Sequence, residues 1–108
     1  MADPMDGVFR ALANPSRREL LDRLFGENGQ TLGALVEGLG MTRQAVTQHL
    51  GVLEEAGLVT TVWQGREKLH YLNPMPLQEV ADRWIGKFER SRVRLLADLK
   101  ARVEGGGE

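Results

Sequence analysis

Apolar residues recur along this chain in distinct rhythms, and the changes of rhythm divide it. Met5, Val8, Phe9 and Leu12 stand at helical spacing and predict a first short helix over 5–13. Asn14-Pro15 is a start signal, because Asn caps open backbone N–H groups and Pro at the first helical position has its φ preset. A second helix is predicted from Pro15 to about Phe25, burying Leu20, Leu21 and Leu24. Gly26, Asn28 and Gly29 break the pattern, and Thr31 then caps a third helix of two or three turns carrying Leu32, Leu35, Val36 and Leu39, with its end at Gly40. Thr42 caps a fourth helix that runs to about Ala56 and stops at Gly57. At about 100° per residue, Ala45, Val46, Leu50, Leu53 and Ala56 share one side of it, and Gln44, Thr47, Gln48 and Gly51 share the other. The rhythm then changes: Leu58 to Trp63 and Lys68 to Leu72 read as two strands around Gln64-Gly65-Arg66-Glu67, a hairpin closed by Asn73-Pro74. From Pro76, the spacing of Leu77, Val80, Trp84, Phe88, Leu95, Leu99 and Val103 predicts one long helix ahead of a Gly105-Gly106-Gly107 tail.

The predicted fold is mainly α with a β-hairpin wing, in the order α-α-α-α-β-β-α: a winged helix-turn-helix. At 108 residues and 42% hydrophobic content the chain is read as a single domain, 1–108, with 31–73 as its DNA-binding region. Cysteine is absent, which excludes disulfides, thiolate metal sites and thiol redox chemistry. No apolar run reaches the roughly 18 residues of a membrane span. Met1-Ala2-Asp3-Pro4 lacks the basic and then apolar start of a secretory signal, so a cytoplasmic protein with no membrane partner is expected.

Net charge tempers the picture. Fourteen Lys and Arg against 15 Asp and Glu give −1, so nucleic-acid binding must rest on local charge. The fourth helix supplies suitable chemistry. A major groove about 12 Å wide admits one helix, whose outward side chains must address base edges by hydrogen bonding. Gln44, Thr47 and Gln48 are such groups, where an ordinary solvated face would hold Lys and Glu. Arg43 can reach a phosphate or guanine, and Thr42 opens the helix toward a phosphate. Arg66 and Lys68 on the wing are placed to grip the backbone rather than merely to solubilise a hairpin. His49 falls in the apolar sector and is read as making a structural hydrogen bond, with a DNA backbone contact as the alternative. His70, between Leu69 and Tyr71, is expected to face outward. Arg17 and Arg18 are expected in ion pairs with Glu19, Asp22 or the third helix.

The apolar stripe of the last helix exceeds what so small a domain can cover, so Trp84, Phe88, Leu95 and Leu99, with Val8 and Phe9 of the first helix, are expected at a homodimer interface. A symmetric dimer would set its two fourth helices about 34 Å apart, one turn of DNA, and would read a palindromic operator. The acidic pair Glu54-Glu55 and the low net charge support a second reading, a winged-helix protein-interaction module without specific DNA binding. An enzyme is not expected: there is no cysteine, no phosphate-cradling glycine loop and no clustered carboxylates and His at catalytic spacing.

The run Thr31 to Leu35, followed by Met41-Thr42-Arg43-Gln44-Ala45-Val46-Thr47-Gln48-His49-Leu50 through Gly57-Leu58-Val59, resembles the recognition segment of the ArsR/SmtB family of bacterial repressors. Leu12-Ala13-Asn14-Pro15-Ser16-Arg17-Arg18-Glu19-Leu20-Leu21 is similar to that family's second-helix opening, and Gly65-Arg66 with Tyr71-Leu72 to its wing. The resemblance spans roughly residues 8–73 and implies a dimeric repressor released from its operator by an inducing signal. Metal-sensing members carry a cysteine pair ahead of the turn, or His and acidic ligands on the last helix. Here the first segment reads Leu35-Val36-Glu37-Gly38-Leu39 and the last helix has no His, which implies the metal-independent, cysteine-free subgroup: no metal, no cofactor, and an inducer that is a small molecule or a protein.

Overall fold

The computed structural model describes residues 3–106. Its elements are α1 (Pro4–Leu12), α2 (Pro15–Gly26), α3 (Leu32–Val36), α4 (Arg43–Glu55), β1 (Val59–Gln64), β2 (Glu67–Leu72), α5 (Met75–Ala81), a π-helical stretch (Asp82–Gly86) and α6 (Lys87–Gly106). Two compact units result, residues 3–77 and residues 78–106.

The N-terminal ends of the helices in the first unit are held by side-chain caps. Asn14 accepts from the Arg17 N–H at 3.1 Å, Thr31 from Ala34 at 3.2 Å and Thr42 from Ala45 at 3.1 Å. Each satisfies a backbone donor that a helix start leaves open, worth about 1 kcal/mol. Asp3 and Asp6 form a reciprocal capping box on α1. The C-terminal end of α4 is a Schellman motif: Leu58 N–H donates to the Leu53 carbonyl at 2.9 Å and Gly57 N–H to that of Glu54 at 3.0 Å. Gly57 holds φ +77° there, a value that side chains with a Cβ resist.

The core gathers Val8 and Ala11 of α1, Leu20, Leu21 and Leu24 of α2, Leu35 of α3, Val46, Leu50 and Leu53 of α4, and Leu58 and Val59 leading into the hairpin. Each buried leucine removes apolar surface from water for about 1.5–3 kcal/mol. Together they fix α4 with its inner side against α2 and α3 and its outer side in solvent.

Four expectations change. The third helix stops at Val36, a turn before Gly40, because Glu37 is extended and Gly38 takes φ +80°. The Arg23 guanidinium occupies the place of the missing turn, donating to the carbonyls of Ala34 at 3.1 Å, Leu35 at 3.4 Å and Glu37. Arg17 and Arg18 serve the C-terminal end of α1 in the same way. Arg17 reaches the carbonyls of Ala11 and Arg10, and Arg18 that of Leu12 at 2.6 Å, so their charge meets the negative end of a helix dipole rather than a carboxylate. The long final helix contains a π-helical stretch at Asp82–Gly86, where the Arg83 guanidinium lies 4.7 Å from the Trp84 ring centroid. The wider i→i+5 turn departs from the constant 3.6-residue period on which the expectation of one uniform helix rested. Val8, expected on a partner surface, is 5% exposed; the apolar face of α1 turns inward, and of the Val8-Phe9 pair only Phe9, 41% exposed, offers surface. The Phe88 side chain lies outside the described residues.

Candidate nucleic-acid interface

The hairpin is closed by a two-residue turn, Gly65-Arg66, with Gly65 at φ +62° as type II′ turns require at their first position. The register that follows pairs Trp63 with Lys68, Thr61 with His70 and Val59 with Leu72. Residues directly opposite share a face, so Trp63, Lys68 and His70 lie together on one side of the wing.

That side forms one wall of a cleft of about 430 Å³. The opposite wall is the α4 stripe Arg43, Thr47, Gly51 and Glu54, with Leu50 at its base, and Thr31, Leu32 and Gly33 close one end. Arg66 and Glu67 line it at the hairpin tip. Spacings of four, four and three residues put the α4 stripe on a single line along the helix. Gln44 and Gln48 are exposed one turn apart, outside the cleft lining. The polar arc foreseen for α4 is therefore divided: Arg43 and Thr47 face the wing side, and the two amides stand beside it.

Individual side chains show what each can offer. The Thr47 hydroxyl donates to the Arg43 carbonyl at 2.9 Å, leaving its methyl group and oxygen lone pairs to the outside. Thr42 is exposed, but its oxygen is engaged as the cap. Arg43 and Arg66 are exposed. Lys68 sits 3.6 Å from the Glu54 carboxylate rather than standing open at the tip. His49 is half-buried with Nδ1 3.4 Å from the Arg17 guanidinium; as arginine only donates, this nitrogen accepts, and the ring serves as a link between α2 and α4.

His70 reverses its expected orientation. It is 4% exposed, and its Nδ1 donates to the Gln30 carbonyl at 2.9 Å while the two backbones exchange hydrogen bonds at 2.8 and 3.2 Å. Gln30 thus adds a one-residue strand beside β2, and the ring turns toward it. Leu69 and Tyr71 are only half-buried on the opposite face, so apolar alternation pointed to the wrong side. His70→Leu should remove the ring's bond at a buried site and lower stability by about 1–3 kcal/mol in urea unfolding, with the wing rather than α4 losing hydrogen-exchange protection first. An unchanged unfolding midpoint would show that the two backbone bonds alone anchor the wing.

Glu54 and Trp63 are cleft residues that the sequence reading did not place there. Both signals were present: Glu54 follows Thr47 by seven residues, and a two-residue turn at Gly65-Arg66 sets Trp63 opposite Lys68. Among the described residues no group of three or more His, Asp and Glu is placed to hold a metal ion, and no helix is long and apolar enough to cross a membrane.

A capped helix with an exposed hydrogen-bonding arc, preceded by a short helix and flanked by a basic-tipped hairpin, defines a winged helix-turn-helix DNA-binding protein. Comparison with known proteins agrees. A helix-turn-helix domain model matches residues 12–62. The chain is 40% identical over 86 residues to the HTH-type transcriptional regulator YuzN of Bacillus subtilis, spanning 74% of this chain and 94% of that one. It is 31% identical over 84 residues to the transcriptional repressor SdpR of the same organism, spanning 78% and 91%. An ArsR-like transcriptional regulator from Rhodococcus sp. RHA1 superposes with a TM-score of 0.70 at 33% identity, covering 91% of each chain. The chain belongs to the ArsR/SmtB family of winged-helix transcriptional regulators, a family of DNA-binding regulators rather than enzymes.

Proposed function

We propose that this regulator is a homodimeric repressor, acting in the cytoplasm on a palindromic operator and released by a signal other than a metal ion. Thr42, Arg43, Gln44, Thr47 and Gln48 enter the major groove, and Arg66 and Lys68 contact the backbone beside it. Dimerisation draws on Phe9, Trp84, Phe88, Leu95 and Leu99. The observation that carries the reading is the exposed arc of amide and hydroxyl groups on α4 beside the cleft, because uncharged hydrogen-bonding groups are what base edges select. Support for the dimer comes from α6, where Leu95, Leu96 and Leu99 are 58%, 55% and 46% exposed at i, i+1 and i+4. The SdpR relative carries the name of a repressor. The absence of cysteine and of His from the last helix supports a non-metal signal.

Selection of bound duplexes from a random pool tests this directly. Enrichment of an inverted repeat with half-sites about 10 base pairs apart is expected. A pool that shows no enrichment, together with equal affinity for scrambled DNA across a salt series, would leave the specific-repressor reading without support.

A further inference from the structure

We infer that Glu54 is a built-in restraint on DNA affinity: its carboxylate holds Lys68 of the wing and opposes the phosphodiester backbone that the cleft between α4 and the hairpin would receive. The inference rests on that cleft facing DNA. The Glu54 carboxylate lies 3.6 Å from the Lys68 ammonium, across the gap between the recognition helix and β2. Glu54 stands on the same helix line as Arg43 and Thr47 and lines the same cleft, so a strand lying along that cleft passes it as well. Gly51, one turn earlier, carries no side chain to stand between Thr47 and the carboxylate along that line.

Magnitudes decide what such a pair does. Its side chains are 39% and 32% exposed, so water and salt reach it, and as a structural tie it is weak. A weak tie does little to hold the hairpin to α4, but it is well matched to competition with a phosphate. A phosphodiester approaching Lys68 must displace Glu54 or share the ammonium with it, and in either case meets a like charge. Of the three cations lining the cleft, Arg43, Arg66 and Lys68, it is Lys68 that is held in this way. The phosphate contribution to binding carries no sequence information, so reducing it leaves base contacts a larger share of the total.

Glu54→Gln preserves size and hydrogen-bonding capacity while removing the charge. In the full-length protein it should bind about three- to tenfold tighter at low salt, both to the selected operator duplex and to a random-sequence duplex of equal length. Its plot of log affinity against log salt should steepen by about 0.9 per protomer as one more phosphate contact forms. In a Lys68→Gln background the same change should leave the salt slope unaltered and give only the smaller tightening that relief of direct repulsion supplies. Affinity that is unchanged or weaker in Glu54→Gln overturns the inference. So does equal tightening with and without Lys68, which would reflect bulk charge alone. A wild-type protein that binds neither duplex would instead fail the DNA-binding reading, so the two failures are distinguishable.

Discussion

Replacing Leu95 and Leu99 together by glutamate is expected to halve the solution mass to that of the 12.0 kDa chain and to abolish most operator binding. The two leucines are 58% and 46% exposed and lie one helical turn apart on α6, where they form a patch that water contacts in a lone protomer. In a symmetric interface each substitution appears twice, so four carboxylates would have to be desolvated together, at a cost of several kcal/mol per ion if buried without partners. Light scattering should report the loss of the dimer. The operator would then be met by one recognition helix at a time, and losing the tethered second half-site lowers affinity by on the order of 100-fold or more. Because these positions are exposed, far-ultraviolet circular dichroism of the first unit's helices should change little. A variant that keeps the dimer mass would remove α6 from the interface.

The second large effect is expected from Arg43→Ala combined with Arg66→Ala. Both side chains are exposed, and both line the cleft, one at the start of α4 and one at the tip of the hairpin. With a chain of net charge −1 there is little long-range attraction to compensate for their loss. Hydrogen bonds to charged groups contribute about 1.5–3 kcal/mol each, so operator affinity should fall at least 100-fold. Random-sequence DNA should lose as much, and the salt slope should shrink by roughly two per protomer. An unaltered slope with loss confined to the operator would reassign the arginines to base reading.

Much of the fold was legible because its signals are local. Asn14-Pro15, Thr31 and Thr42 each cap the helix they were expected to open, and Gly57 terminates α4. The hairpin and its glycine turn were readable too, to within a residue at the strand ends: Gln64 and Glu67, expected in the turn, pair as the last rung of the ladder and leave Gly65-Arg66 as the turn. The polar arc of α4 followed from helical spacing alone. Two of the differences involve a partner far along the chain. Arg23 takes the place of the last turn of α3 from 11 to 14 residues away. His70 turns inward to Gln30, 40 residues earlier.

By itself, the sequence determined the helices, the wing, the apolar side on which α4 docks and the uncharged chemistry of its outer side. These follow from periodicity, capping and turn preference, which act within a few residues. Only the tertiary structure decided which face of the hairpin is buried, where the arginines of α2 spend their hydrogen bonds, and that Lys68 faces Glu54 across the cleft. Those outcomes depend on which backbone carbonyls and charges the fold brings within about 4 Å, a matter of assembled distance that no local pattern encodes.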